Sequence, residues 1–263
     1  MAERAKLAVV TGASLGIGLE LAKQCIEHGY DLIIASDTEE IQEAAAVLRG
    51  LGGTVEAVQA DLATRIGIDQ LYTTVARQGR PVDVLMANAG RGLGEAFVDQ
   101  DFADIQRVID TNVFGTTYLL HRFLRDMRNR NEGKVLITGS IAGAMPGAFQ
   151  AVYNATKAYV DSFAYALRNE LKDTDITVTC LMPGPTDTDF FETADMLDTK
   201  VGTDKKDDPA MVAKKGFDAM MRGEGHEVTG FANKMQAMMA NIMPDDALAE
   251  MHRKMAQPGT AKH

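Results

Sequence analysis

Tyr153 and Lys157 stand four residues apart in Tyr153-Asn154-Ala155-Thr156-Lys157, a spacing that sets a phenol and an ammonium on one face of a helix. A neighbouring cation favours phenolate, so the tyrosine pKa is expected to move from its ordinary ~10 toward neutrality. A phenol tuned in this way can give a proton to a ketone or take one from an alcohol. Alone, Y-x-x-x-K is a common pattern on surface helices. Ser140 changes its weight, because it follows the apolar run Val135-Leu136-Ile137-Thr138. A hydroxyl at the carboxyl end of such a strand would face a substrate oxygen.

A second group of residues suits a pyrophosphate. Thr11-Gly12-Ala13-Ser14-Leu15-Gly16-Ile17-Gly18 lies between a short apolar run, Leu7-Ala8-Val9-Val10, and a helical pattern. Glycines there allow a tight turn, and a helix N-terminus offers unpaired N–H groups to phosphate. The spacing is G-x-x-x-G-x-G, and Gly18 allows helix and strand to pack closely. Asp37 falls 19 residues after Gly18, where a carboxylate is expected to accept from both adenosine ribose hydroxyls and to repel a 2′-phosphate. Neither Leu15 nor Asp37 supplies a cation for that phosphate, so NAD is expected in preference to NADP. Capping the next helix is also open to Asp37, and both roles can hold.

These groups need a scaffold. Strand-like runs at residues 7–10, 32–35, 55–60, 82–87, 135–138 and 176–181 alternate with helical periods at 16–28, 39–51, 68–77, 102–130 and 155–171. Apolar strands separated by helices predict an α/β fold, a Rossmann-type doubly wound parallel sheet with its ligand at the carboxyl ends of the strands. No linker or repeat interrupts the array, so residues 1–263 are expected to form a single domain with a C-terminal helical extension. The polar segment 185–208, anchored by Phe190, Phe191, Met196 and Leu197, reads as a substrate lid. A helix over 209–221 and a short strand over 227–229 follow. The Met-rich extension, 233–257, carries Met235, Met238, Met239, Met243, Met251 and Met255. That stripe either packs on the body or a neighbouring subunit, or caps a lipophilic substrate. Residues 258–263 are expected to fray.

Composition narrows the classes. The 263 residues are 46% hydrophobic and 24% charged, which is ordinary for a globular protein. Lys plus Arg number 27 against 37 Asp plus Glu, a net charge of −10 that argues against a nucleic-acid partner. No apolar run approaches the ~20 residues of a membrane span, and Met1-Ala2-Glu3-Arg4-Ala5-Lys6 has no apolar leader. A cytoplasmic location without a membrane partner is therefore expected. His28, His121, His226, His252 and His263 lack metal-ligand spacing and read as solvated or capping, while Cys25 and Cys180 lack C-x-x-C spacing, so no metal is expected. Arg91 reads as a solvated loop arginine, with an anionic group as its alternative partner, and the mixed run Lys205-Lys206-Asp207-Asp208 reads as a solvated turn before the Pro209 helix.

The motifs occur together and in order: Thr11 to Gly18, Asp61-Leu62, Asn88-Ala89-Gly90, Asn112, Ser140, Tyr153 with Lys157, and Pro183-Gly184. Over residues 6–190 the chain resembles the simple one-domain short-chain dehydrogenases/reductases. The resemblance implies that Tyr153 is the general acid/base, that Ser140 polarises the carbonyl, and that Lys157 holds the nicotinamide ribose. Asn112 would bend its helix and position a water that links Lys157 to solvent. Gly12, Ser14, Leu15, Gly16, Ile17 and Gly18 would cradle the dinucleotide, with Asp61 on the adenine amino group and Leu62 beside it. Asn88, Ala89 and Gly90 would close over the adenosine side, and Pro183, Gly184, Thr186 and Thr188 would flank the nicotinamide. The same resemblance implies a homodimer or homotetramer, with the helices bearing Asn112 and Tyr153 at one interface.

Residues 91–94, 141–149 and 190–197, expected around the pocket, are mostly apolar or small. A hydrophobic ketone or secondary alcohol is the expected substrate, touched by Ser140, Gln150, Tyr153 and Phe190; a helix-start role is equally open to Gln150. The alternatives are an NADP(H)-linked carbonyl or 3-oxoacyl reductase and, from another class, a non-catalytic dinucleotide-binding redox sensor. A sensor needs no proton relay, which the complete set Asn112, Ser140, Tyr153 and Lys157 would supply.

Overall fold

Leucine and β-branched runs form strands where both faces can be buried. In a computed structural model, which describes residues 5–240 and 242–261 except the side chains of Phe231 and Ala232, seven such strands are present. They are β1 (Leu7–Thr11), β2 (Asp31–Ser36), β3 (Val55–Gln59), β4 (Val84–Ala87), β5 (Gly133–Thr138), β6 (Ile176–Met182) and β7 (His226–Val228). All pair in parallel, in the order β3-β2-β1-β4-β5-β6-β7. His263 and residues 1–4 lie outside the described residues.

Alternation along the strands separates two cores. On one face, Ala8, Val10, Ile34, Met86 and Leu136 pack against α1 (Gly16–Glu27), α2 (Glu40–Gly50) and α9 (Pro209–Arg222). On the other, Val9, Ile33, Leu85, Val135 and Val178 pack against α3 (Arg65–Arg77), α5 (Thr116–Arg130) and α6 (Ala151–Glu170). The order reverses between β1 and β4, so connections leave in opposite directions and open a crevice at the carboxyl edge. The expected doubly wound, single-domain architecture is the one observed.

Three departures from the expected elements bear on the site. The helix expected over 102–130 is broken into α4 (Phe102–Ile109), a π-helical turn (Asp110–Gly115) and α5. The wide turn sends the Asn112 side chain to the backbone of Arg91 and brings Gly115 against the Leu62 carbonyl, where a Cβ would collide. Helix α6 begins four residues before the expected Ala155, which places Tyr153 in its first turn. The extension forms two helices, α10 (Phe231–Ala240) and α11 (Asp245–Ala256). Its end is pinned rather than frayed, since the amides of Gly259 and Ala261 donate to the Asp198 carboxylate and carbonyl at 2.9 Å each. Lys262 lies outside the described residues.

Candidate functional site

The turn after β1 is shaped by what it approaches. Gly12 has φ of 63°, and a Cβ there would lie 2.8 Å from the Ala89 Cα. A Cβ on Gly18 would run into the Gly12 carbonyl, so helix and turn meet only because both residues are glycine. No side chain caps α1 at Leu15, which leaves its first-turn N–H groups open to an anion. Asn88 ties the cradle to the sheet. Its Nδ2 donates to the carbonyls of Thr11 and Gly12 at 3.1 and 3.2 Å, and its Oδ1 accepts from Thr138 Oγ1 at 3.0 Å. Open amides, a glycine-lined turn and a helix N-terminus together fit a dinucleotide pyrophosphate.

At the end of β2, Asp37 neither stands free nor caps α2, whose N-cap is Glu39. Its Oδ2 accepts from Arg91 Nη2 at 2.7 Å and Arg107 Nη2 at 3.1 Å. Arg107 Nη1 also reaches Asp61 Oδ2 at 2.6 Å. Partial burial raises the Asp37 pKa, but the Arg91 hydrogen bond and the charges of Arg91 and Arg107 outweigh it and hold the carboxyl below its ordinary range. Arg91 is therefore paired rather than merely solvated. The sequence reading missed Arg107; its one clue was a cation on the helix that carries Asn112.

Ser140 follows β5, where its Oγ accepts from Ala142 N at 3.1 Å. Lys157 is buried, and its Nζ donates to the Thr138 carbonyl at 2.9 Å. Asn112 is 1% exposed. Its Oδ1 accepts from Arg91 N at 2.8 Å, while Nδ2 donates to the Arg91 carbonyl and to Thr156 Oγ1 at 2.9 Å each. A Cβ on Gly90 would lie 3.3 Å from Lys157 Nζ and 3.4 Å from Asn112 Oδ1, so these three groups converge.

The phenol pKa differs from expectation. Burial pushes Tyr153 up to about 12, against a lowering hydrogen bond from Ser140. Burial also lowers Lys157, which the Asp161 charge opposes. The ammonium, spent on Thr138, does not overcome the cost of placing a phenolate in this interior. Asp161 stands behind the site on α6. Its Oδ1 accepts from Ser140 N at 3.3 Å and Cys180 Sγ at 3.5 Å, its Oδ2 is buried without a partner among the described residues, and burial raises its pKa to about 6. Cys25 is a buried core thiol whose pKa burial pushes up.

A cavity of about 530 Å³ runs from Asp37 past Tyr153, within the range of small-molecule sites. Every residue named above as a cofactor or substrate contact lines it, including Gln150, Pro183, Gly184, Thr186, Thr188 and Phe190; of the segments expected around the pocket, Leu93, Gly94, Phe149 and Leu197 do not, and Asn112 stands behind the wall. Gln150 occupies the N-cap position of α6, but its side chain makes no capping bond.

The segment 185–208 carries α7 (Phe190–Thr193) and α8 (Lys200–Thr203). The Phe190 ring lies tilted against Tyr153, with ring centroids 5.2 Å apart and an interplanar angle of 53°. Phe191, Ala194, Met196 and Ala256 form a separate small core, whereas Leu197 is 55% exposed and anchors nothing. The run expected to be solvated is engaged: Lys206 Nζ donates to Gly202 O at 2.6 Å, Asp207 accepts from Asn233 Nδ2 at 2.9 Å, and Asp208 caps α9. The C-terminal helices reach the cavity through Gln236, His252 and Met255. His252 is buried rather than solvated, while Met235, Met238 and Met239 face outward.

Residues 6–197 match the family described as short chain dehydrogenase. Among curated proteins, the NADP-dependent 3-hydroxy acid dehydrogenase YdfG of Salmonella typhi is 36% identical over 179 residues, covering 68% of this chain and 71% of that protein. A short-chain dehydrogenase from Sphingobium yanoikuyae in complex with NADPH superposes with a TM-score of 0.79 at 26% identity, covering 90% of this chain and 96% of that one. A short-chain dehydrogenase/reductase from Burkholderia phymatum in complex with NAD shares the fold at a TM-score of 0.81 and 23% identity, over 89% of this chain and 92% of its own. With the phosphate turn, the convergent Ser140, Tyr153 and Lys157, and the sheet order in place, the chain belongs to the short-chain dehydrogenase/reductase family of NAD(P)-dependent oxidoreductases.

Proposed function

We propose that this protein interconverts a hydrophobic ketone and its secondary alcohol with NAD(H), Tyr153 serving as the general acid/base. The observation that carries the reading is the convergence of Ser140, Tyr153 and Lys157 on one cavity that also contains the open N-terminus of α1. Gly12, Ser14, Leu15, Gly16, Ile17 and Gly18 would hold the pyrophosphate. Asp37 would take the adenosine ribose, with Asp61, Leu62, Asn88, Ala89 and Gly90 along the adenosine side. Pro183, Gly184, Thr186 and Thr188 would flank the nicotinamide, which supplies or accepts the hydride when bound.

Tyr153, kept protonated by burial, is suited to donating its proton to a ketone oxygen. Ser140 would hold that oxygen against the phenol, and Lys157 would hold the nicotinamide ribose. Asn112 positions rather than reacts: its bonds to Arg91 fix the loop that follows Gly90. Phe190 and Gln150 would touch the substrate. Exposed Tyr159 and Tyr165 on α6 support assembly as a homodimer or homotetramer through that helix, and the acidic chain would act in the cytoplasm.

A second reading, use of NADP(H) by a carbonyl or 3-oxoacyl reductase, is favoured by Arg91 and Arg107 at Asp37 and by the cofactor named for the Salmonella relative. Turnover of a panel of aryl and alkyl ketones with NADH and with NADPH tests both. The expected result is oxidation of NADH by wild type, a loss of about 10²–10⁴ in kcat for Tyr153→Phe, and retained cofactor binding in that variant. Full activity in Tyr153→Phe would remove the phenol from the chemistry. Cofactor binding without turnover on any ketone would favour a redox sensor.

A further inference from the structure

Beyond Tyr153 the cavity is lined by Gln150, so far assigned only as a substrate contact, and by His252, which none of the assigned roles uses. Gln150 is 6% exposed, and its side-chain amide has no hydrogen-bond partner among the described residues. The amide stays accessible from the cavity, so the group is open to a ligand. His252 of α11 lines the same cavity and places Nδ1 2.8 Å from the carbonyl of Ala148, two residues before Gln150. A carbonyl only accepts, so Nδ1 carries the hydrogen and neutral imidazole leaves Nε2 as an acceptor. Burial keeps the ring neutral by lowering its pKa. Nε2 has no partner among the described residues.

The turn that presents Gln150 is held firmly. Phe149 has φ of 63°, a left-handed conformation that costs a non-glycine residue about 1–3 kcal/mol and persists only where the surroundings impose it. Helix α11 grips this turn twice, through His252 on Ala148 and through Arg253, whose guanidinium lies 5.1 Å from the Phe149 ring centroid. Among the described residues, the lysines and arginines lining the cavity are Arg91, Arg107 and Lys157. The first two are paired with Asp37 and the third is bonded to Thr138. No spare cation faces Gln150 and His252.

The geometry points to a recognition subsite, built by Gln150 and His252, for a neutral hydroxyl that the substrate carries near its reacting carbonyl; it rests on the ketone–alcohol reading above. A hydroxyl can donate to Nε2 and accept from the Gln150 amide at once. A carboxylate only accepts, and would meet the Nε2 lone pair with no cation to compensate. Gln150 is the N-cap residue of α6 and Tyr153 lies in its first turn, and both line the cavity.

Three matched compounds test it: 3-hydroxypropiophenone, its deoxy isostere butyrophenone, and benzoylacetate. Steady-state kcat/KM is measured with NADH and NADPH, and dissociation constants are read in the same cofactor-loaded protein from reduced-nicotinamide fluorescence. Wild type should favour the hydroxy ketone over butyrophenone by about tenfold, the scale of one or two neutral hydrogen bonds, with benzoylacetate weakest. Gln150→Leu and His252→Asn, which keeps a donor for Ala148, should each shrink that ratio toward one; either variant suffices if the other fails to fold. Equal kcat/KM and equal affinity for the hydroxy and deoxy compounds in wild type would overturn the subsite, as would a preference for benzoylacetate or binding of none of the three. Discrimination in binding without turnover on any ketone would keep the subsite and sink the ketone reading.

Discussion

Asp37 accepts from Arg91 and Arg107 across the groove where an adenosine ribose would lie, so the same carboxylate that would bind a ribose also neutralises two guanidiniums. Each charge-assisted bond of this kind is worth about 1.5–3 kcal/mol when made to a phosphate instead. Asp37→Ser should therefore free Arg91 and leave Arg107 held by Asp61 alone, and improve NADPH affinity relative to NADH by about tenfold or more, measured by titrating each reduced dinucleotide. An unchanged ratio would place cofactor discrimination elsewhere. Asp161 makes a different demand. Its folded-state pKa of about 6 lies above the ordinary 3.8, so the folded chain holds an extra proton between those values and stability falls as pH rises through about 4 to 6. Relative to wild type, Asp161→Asn should gain about 2–3 kcal/mol between pH 4 and pH 7, read by urea denaturation. Parallel stability profiles for the two proteins would show that Asp161 does not titrate in this window.

The elements around the site divide into those legible in sequence and those set by contacts between distant segments. Strand and helix periods placed the sheet, the phosphate turn and the Ser140–Tyr153–Lys157 face, because burial on two sides leaves a local pattern. The π turn at Asn112 left none, since it depends on Arg91 from another loop. Pairing of Arg107 with Asp37 and Asp61, and arrival of His252 at the cavity, likewise join segments far apart in the chain. The phenol pKa departs from expectation because adjacency of a lysine is visible in the sequence and depth of burial is not. Segment 185–208 has its own core around Phe191, apart from the two main ones. Phe191→Ala should raise KM for a ketone about tenfold while leaving cofactor affinity within threefold, whereas Phe217→Ala in the main core should cost about 3–5 kcal/mol of stability. Equal destabilisation by both, in matched urea melts, would show that the segment is not an independent unit.

At the scale of the whole molecule, the parallel sheet is what lets distant residues share one cavity. All strand carboxyl ends point to one edge, and the reversal between β1 and β4 opens the crevice there. Asp37 follows β2, Asn88 follows β4, Ser140 follows β5 and Pro183 follows β6. Helix α6 adds Tyr153 and Lys157 beside Ser140, and the C-terminal helices cover the far end through Gln236, His252 and Met255. No helix among the described residues is long and apolar enough to cross a membrane.

Transfer of label tests the central claim most directly. The protein would be mixed with nicotinamide dinucleotide reduced and deuterated at C4 on either face, together with an aryl ketone, and the product alcohol analysed by mass spectrometry. The account predicts one deuterium on the carbinol carbon from one of the two labelled faces, formed by wild type and reduced by about 10²–10⁴ in rate with Tyr153→Phe. Binding of the reduced dinucleotide without label reaching any ketone would contradict it.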